Sequence, residues 1–161
     1  MANPLKSFLR KLMLRAGAGT EPVTFIPLTG ISKVAVYVDP EAQGASEAEG
    51  KVRAFFADAG KDLELFCPGK KDLTCTGRLK RRFRVKPGKV RRHEDLFISL
   101  ATSPECFGAA FEAARSDARM KIGCCNCPPY AFNVVFSPAE GTDPDQATLF
   151  AEIAEFLKKI K

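Results

Sequence analysis

Residues 95–127 read DLFISLATSPECFGAAFEAARSDARMKIGCCNC, and this stretch decides the fold. It opens on a nearly continuous apolar run, Leu96, Phe97, Ile98 and Leu100, which is typical of a strand covered on both faces. Apolar residues then recur at helical spacing, and a second apolar run follows. A strand, a helix and a strand in this order predict a parallel pair joined by a right-handed crossover.

The start and the buried side of this central helix can be predicted from the same residues. Ser103 is expected to cap the helix, and Pro104 to occupy its first turn, where the missing N–H has no cost. The helix is expected to turn one apolar stripe toward the sheet, formed by Phe107, Ala110, Phe111 and Ala114.

Strands and helices alternate through the rest of the chain. Further strands are predicted at 33–38, 62–67, 118–123 and 131–136, and a charged edge strand at 81–86. One helix is predicted to start at a capping box formed by Ser46 and Glu49, and another at the DPDQ sequence of residues 143–146. This pattern predicts an α/β fold, an open, mostly parallel, doubly wound (Rossmann-like) sheet with helices on both faces.

A short basic amphipathic helix is predicted at 4–15, ahead of this sheet. Its apolar face is expected to consist of Leu5, Phe8, Leu9, Leu12 and Met13, and the glycines that follow end it. Residues 1–20 are therefore predicted to form an N-terminal helix and residues 21–161 a single α/β domain. Such a helix can lie on an anionic membrane surface, bind a partner, or dock on its own domain.

The positive charge of the chain is concentrated in two segments. Residues 1–20 carry four basic and no acidic side chains, whereas the remainder outside 78–92 carries 12 basic and 19 acidic ones. The second basic segment, 78–92, contains nine basic residues and no acidic one: Arg78, Lys80, Arg81, Arg82, Arg84, Lys86, Lys89, Arg91 and Arg92. This pattern favours local attraction to lipid headgroups or RNA phosphate, with a solvated charged strand as the alternative.

The cysteines are expected to gather at one edge of the sheet. Ligands bind outside the carboxyl ends of strands in an open parallel sheet, and Cys67, Cys106, Cys124 and Cys127 end or follow predicted strands. Cys124 and Cys127 have Cys-x-x-Cys spacing, and Cys67 with Cys106 or Cys75 could complete four thiolates around zinc or iron.

Two other interpretations of the cysteines stay open. Cys106 is predicted in the first turn of a helix, where the dipole favours a thiolate, so thiol redox chemistry is a second hypothesis. The third is that they are small, half-buried apolar residues. The sequence has no secretory-signal pattern and no apolar run of membrane-spanning length, so we expect a cytoplasmic, reducing environment.

Common catalytic patterns are missing from the sequence. His93 is the only histidine, and it precedes a strand at the edge opposite the predicted crevice, so a catalytic triad is not expected. The loop after the first strand holds Asp39 and Glu41 instead of a Gly-x-Gly-x-x-Gly phosphate cradle, and there is no Walker motif. The sequence therefore favours a protein that is not an enzyme.

Four short motifs carry a family resemblance: SKVAVY at 32–37, KKDL at 70–73, EDLFISL at 94–100 and ARMKIG at 118–123. With the basic start and the closing amphipathic helix, the chain resembles a family of small uncharacterised Bacteroidetes proteins with a Rossmann-like α/β domain. The DLFISL to MKIG segment also resembles the acceptor half of heptosyltransferase-type glycosyltransferases. That resemblance implies a fold only, because the donor half and its glycine-rich loop have no counterpart here.

Three functional hypotheses follow from the sequence. The first is a small binding or scaffold protein that contacts an anionic surface, the inner membrane face, through the N-terminal helix and the 78–92 segment. The second is a cysteine-based metal-binding or thiol redox protein. The third is an RNA- or ribosome-associated protein that uses the 78–92 segment.

Overall fold

The computed structural model describes residues 4–17, 24–80, 93–103, 106–124, 131–137 and 145–161, with the backbone alone for 15–17. Four helices are present in these ranges: α1 (Pro4–Gly17), α2 (Ala45–Asp58), α3 (Phe107–Ala114) and α4 (Gln146–Lys159). The strands are β1 (Lys33–Tyr37), β2 (Asp62–Phe66), β3 (Leu96–Ser99), β4 (Met120–Cys124) and β5 (Val134–Phe136). Short 3-10 turns occur at Leu28–Gly30 and Lys70–Asp72.

The five strands form one sheet in the order β2-β1-β3-β4-β5, and every neighbouring pair is parallel. Val34 of β1 pairs with Leu63 on one side and Leu96 on the other, and Ile98 of β3 pairs with Ile122 of β4. The connections β1 to β2 and β3 to β4 run in opposite directions from the centre. Because such crossovers are right-handed, their helices α2 and α3 lie on opposite faces. The predicted doubly wound fold is confirmed.

Alternation along the strands divides the core into two halves. In β1 and the residue after it, Val34, Val36 and Val38 face the α2/α4 side, and Ala35 and Tyr37 face the α1/α3 side. The predicted stripes on α2 and α4 meet the first half, with these members buried: Val52, Phe56, Leu149, Phe150, Ile153 and Leu157. The sheet therefore separates two sets of side chains that cannot touch each other.

Helix α3 is buried on every side, whereas the sequence predicted one buried stripe. All eight of its residues are buried, including the carboxylate-bearing Glu112. The reason is a second layer over α3, because Leu14 of α1 and Leu79 belong to the same core. Gly108 permits the close packing, since a Cβ there would lie 2.6 Å from Tyr37 Oη and 2.9 Å from the Gly77 carbonyl oxygen.

The helix starts differ from those predicted. Helix α3 begins after Cys106, which makes no side-chain cap, and the Cys106 N–H donates to the Ser103 carbonyl oxygen at 3.0 Å. Helix α2 begins after Gly44 and not at Ser46, and α4 is capped by Asp145. Gly44 has a φ of 74°, and its loop passes so close to Asp145 that no Cβ would fit, so both features favour glycine here. The predicted strand at 81–86 lies outside the described residues.

Candidate functional site

The carboxyl edge between β1 and β3 is the point where the strand order reverses, which is the usual ligand position in such sheets. Here the start of α4 fills part of it. The buried Gln146 side chain accepts a hydrogen bond from the Asp39 N–H at 3.0 Å and donates one to the Asp39 carbonyl oxygen at 2.8 Å. These two bonds hold the loop after β1 against α4. The backbone N–H of Asp39 is therefore not available to bind a phosphate.

On the other side of the same edge, Cys106 is hydrogen-bonded to the buried Tyr37 hydroxyl. Burial, followed by the charge of Asp39, raises the pKa of the Cys106 thiol to about 11. The Ala109 N–H at the start of α3 lowers this pKa but is outweighed. Burial likewise raises the pKa of Tyr37 far above its ordinary value. The expected thiolate at Cys106 is therefore wrong, because desolvation exceeds the effect of the helix start.

The described members of the predicted metal set do not converge. Cys67 is exposed, Cys106 is half-buried against the α1/α3 core, and Cys124 is fully buried in the α2/α4 core. Cys106 and Cys124 thus pack against the two halves of the core on opposite faces of the sheet. Among the described residues, no three His, Cys, Asp or Glu side chains are placed to hold a metal. Cys127 lies outside those residues, so a site that includes it stays a prediction.

Two of the predicted anion-binding residues are described, and they have different surroundings. The Arg78 guanidinium lies 4.0 Å from the centre of the Phe111 ring and 3.6 Å from Met13 Sδ, in the contact between α3 and α1. Lys80 is exposed, and its ammonium donates to the Lys71 carbonyl oxygen. The remaining candidates, Arg81, Arg82, Arg84, Arg91 and Arg92, lie outside the described residues.

Helix α1 docks on α3 through a different side from the predicted apolar face. Leu14 is only 3% exposed, Met13 packs against the α1/α3 core, and Arg10 lies 5.1 Å from the centre of the Phe107 ring. The Arg10 Nε also donates to the Thr76 carbonyl oxygen at 3.0 Å. Met13, which was predicted as part of the apolar face, thus belongs to the docked side. The role of Arg10 could not be predicted from the sequence, because a cation–π partner depends on the position of α3.

The rest of the predicted apolar face of α1 points away from the protein. The exposed fractions are 64% for Leu5, 63% for Phe8, 38% for Leu9 and 55% for Leu12. These four residues are here named the α1 stripe. In the described part of the chain, only two other large apolar side chains are exposed, Phe25 and Val135. Grouped exposure of this kind marks a surface that contacts something else.

A cavity of about 380 Å³ lies at the opposite, amino edge of the sheet. Its polar lining is mainly acidic, from Glu94, Asp95 and Asp117, with Arg119. Asp117 Oδ2 lies 3.0 Å from His93 Nδ1, so the histidine is placed away from the carboxyl edge, as predicted. The Lys33 and Ser32 N–H groups both donate to Asp95 and lower its pKa. The Asp95 carboxylate therefore provides hydrogen-bond acceptors for the two backbone N–H groups at the start of β1.

No family model, curated protein or solved structure matches the chain, so both family resemblances remain predictions. None of the helices within the described ranges is long and apolar enough to cross a membrane.

Proposed function

We propose that this protein binds peripherally to an anionic membrane surface through α1, as a binding or scaffold protein at the inner membrane face. The observation that carries the proposal is the α1 stripe: one side of the helix is docked on α3, and the four apolar side chains of the stripe are presented to the surroundings. An interfacial helix needs this arrangement, because its apolar side must be available to enter the boundary between headgroups and acyl chains.

The charges beside the stripe favour an anionic lipid as the partner. Lys6 and Lys11 are exposed, and with 3.6 residues per turn they project about 60° beyond the two sides of the stripe. Lysines in these positions can reach phosphate groups while Phe8 and Leu12 enter the interface. Each basic residue near an anionic leaflet contributes about 1 kcal/mol to binding. A polyanion such as RNA would use the lysines but would not require the apolar stripe.

The length of α1 supports a helix that lies in the membrane plane. Its 14 residues span about 21 Å at 1.5 Å per residue, which is shorter than the ~30 Å hydrocarbon core. One helix with four apolar contacts binds reversibly, so the association is expected to depend on lipid charge and on salt.

Vesicle flotation tests this proposal with Phe8→Ser and a matched control, Phe25→Ser. Phe8 and Phe25 are exposed to similar extents, 63% and 58%, but only Phe8 belongs to the α1 stripe. Wild type should float with vesicles containing 30% phosphatidylglycerol and not with pure phosphatidylcholine. Phe8→Ser should weaken binding about tenfold, since an interfacial phenyl ring contributes roughly 1.5 kcal/mol or more. Phe25→Ser should bind as wild type does.

Three outcomes would contradict the proposal. The first is equal loss of vesicle binding in the two serine variants. The second is wild type that stays unbound to anionic vesicles but binds RNA in a salt-dependent way. The third is wild type that is a dimer in solution, becomes monomeric on Phe8→Ser, and does not bind vesicles, since the stripe would then be an interface between two copies of this chain.

A further inference from the structure

The two faces of the sheet carry very different charges. On one face lie α1, residues 71–80 and α3, which together hold seven basic and two acidic residues, a net charge of +5. On the other face lie α2 and α4, with four basic and five acidic residues, a net charge of −1. Since the first set ends at residue 80, the asymmetry does not depend on the basic segment beyond that residue.

Three of the four cations on the α2/α4 face are neutralised within their own helices. Three ion pairs have N–O distances of 2.7–2.8 Å, and they join Lys51 to Glu47, Arg53 to Glu49, and Lys158 to Glu155. Pairing at helical spacing of this kind leaves little net attraction for an outside anion.

The acidic residues of the α1/α3 face are engaged inside the protein. Glu112 is only 5% exposed, and Asp72 accepts a hydrogen bond from the Gly69 N–H at 3.2 Å. By contrast, Lys71 and Lys80 are both exposed, and they lie side by side because the Lys80 ammonium reaches the Lys71 carbonyl oxygen. This part of the face therefore presents positive charge to the surroundings.

The segment that carries these lysines is joined directly to α1. Arg10 of α1 bonds to the Thr76 carbonyl oxygen, and Arg78 contacts Met13 of α1. The α1 stripe and the lysine pair consequently belong to one connected surface, because the helix and the segment 70–80 pack on each other and on α3.

We infer that α1 and residues 70–80 form a single contact surface for an anionic bilayer, so that the bound protein has its α1/α3 face toward the lipid and α2 and α4 toward the aqueous phase. The inference rests on the proposed function and adds an orientation and a second contact to it. Lys71 and Lys80 supply the second contact by binding lipid phosphate groups while the α1 stripe enters the interface.

The double variant Lys71→Gln/Lys80→Gln tests the second contact against Lys159→Gln/Lys161→Gln. Both remove two positive charges from exposed lysines, and only the first pair lies on the α1/α3 face. In flotation with 30% phosphatidylglycerol, the first variant should bind about 25-fold more weakly than wild type, roughly fivefold for each lysine. The second should change binding less than twofold. Equal losses in the two variants would overturn the inference.

Thiol labelling tests the orientation without removing any charge. Cys75 is exposed within the segment 70–80, and Ala54 is exposed on α2, so Ala54→Cys supplies a matched thiol on the other face. A water-soluble maleimide is added with and without phosphatidylglycerol vesicles, and the labelled peptides are quantified by mass spectrometry. Vesicles should slow labelling at Cys75 at least fivefold and leave the thiol at position 54 unchanged.

The labelling result separates this inference from the proposed function. If wild type floats with vesicles and Phe8→Ser does not, but both thiols are labelled at unchanged rates, the orientation is wrong while membrane binding by α1 stands. If wild type does not float at all, both fail. Protection of position 54 instead of Cys75 would place the α2/α4 face on the bilayer and overturn the inference.

Discussion

At the scale of single residues, close packing on the α1/α3 side depends on Gly108. Its Cα hydrogen faces Tyr37 Oη and the Gly77 carbonyl oxygen, and a methyl group would lie within 3 Å of both. The Tyr37 hydroxyl cannot simply move away, because it is buried and hydrogen-bonded to Cys106. A single hydrogen in place of a methyl group thus allows α3, β1 and the segment before Arg78 to meet.

Gly108→Ala should destabilise the protein by about 1–3 kcal/mol, because the new methyl group overpacks the contact by more than the gain in helix propensity. The matched control is Gly50→Ala in α2, where a Cβ would meet no atom within 4 Å. That substitution should stabilise the protein by about 0.5–1 kcal/mol. Urea unfolding midpoints measure both. Similar shifts of the two variants in the same direction would contradict the packing described at Gly108.

The residue scale also shows where sequence reasoning about the cysteines reached its limit. The position of Cys106 at the start of a helix was predicted, and the consequence drawn from it was wrong. A sequence gives the helix dipole but not the burial of the thiol or the nearby charge of Asp39, and these raise the pKa of Cys106 to about 11. Likewise, only the sheet reveals that Cys124 lies on the opposite face from Cys106.

At the scale of elements, the buried stripes of α2 and α4 were predictable because their spacing fits a single covered side. The complete burial of α3 was not, since it depends on α1 and Leu79 folding over it from distant parts of the sequence. The start of α4 was predicted within residues 143–146, but the start of α2 was missed. The spacing of Ser46 and Glu49 suggested a capping box, whereas α2 begins after Gly44, in a loop that contacts Asp145, the cap of α4.

The cap of α4 gives a direct test of this explanation. Asp145 accepts hydrogen bonds from the N–H groups of Ala147 at 3.4 Å and Thr148 at 3.1 Å. Asp145→Ala should therefore cost about 1–2 kcal/mol of unfolding free energy. Ser46→Ala should cost less than about 0.5 kcal/mol, because Ser46 lies within the first turn of α2 and does not cap it. Chemical denaturation of both variants would reveal the difference, and an equal or larger loss for Ser46→Ala would restore the capping box as the start of α2.

At the scale of the whole molecule, the alternation of strands and helices was sufficient to predict the parallel sheet and the placement of helices on both faces. It was not sufficient to predict which side of α1 docks. The docked side is determined by the contact of Arg10 with the Phe107 ring and by the packing of Leu14 in the α1/α3 core. Once these contacts form, the α1 stripe can only face outward, beside a strongly basic surface.

The distribution of charge likewise emerges only from the fold. Along the sequence, basic residues near position 10 and near position 75 are far apart, but packing of the segment 70–80 on α1 joins them. The α2/α4 face pairs three of its four cations within helices and has almost no net charge. A polarity of this kind gives the molecule one side suited to an anionic surface and one side suited to water.

The most direct measurement of the central claim is the fluorescence of Phe8→Trp on addition of phosphatidylglycerol vesicles. The natural chain contains no tryptophan, so the signal comes from the α1 stripe alone, and Phe25→Trp provides a reporter of similar exposure elsewhere. The account predicts that vesicles shift the emission of Phe8→Trp to shorter wavelengths and protect it from acrylamide, with no change for Phe25→Trp. Unchanged emission from Phe8→Trp, under conditions in which the wild-type protein floats with the same vesicles, would contradict insertion of the α1 stripe.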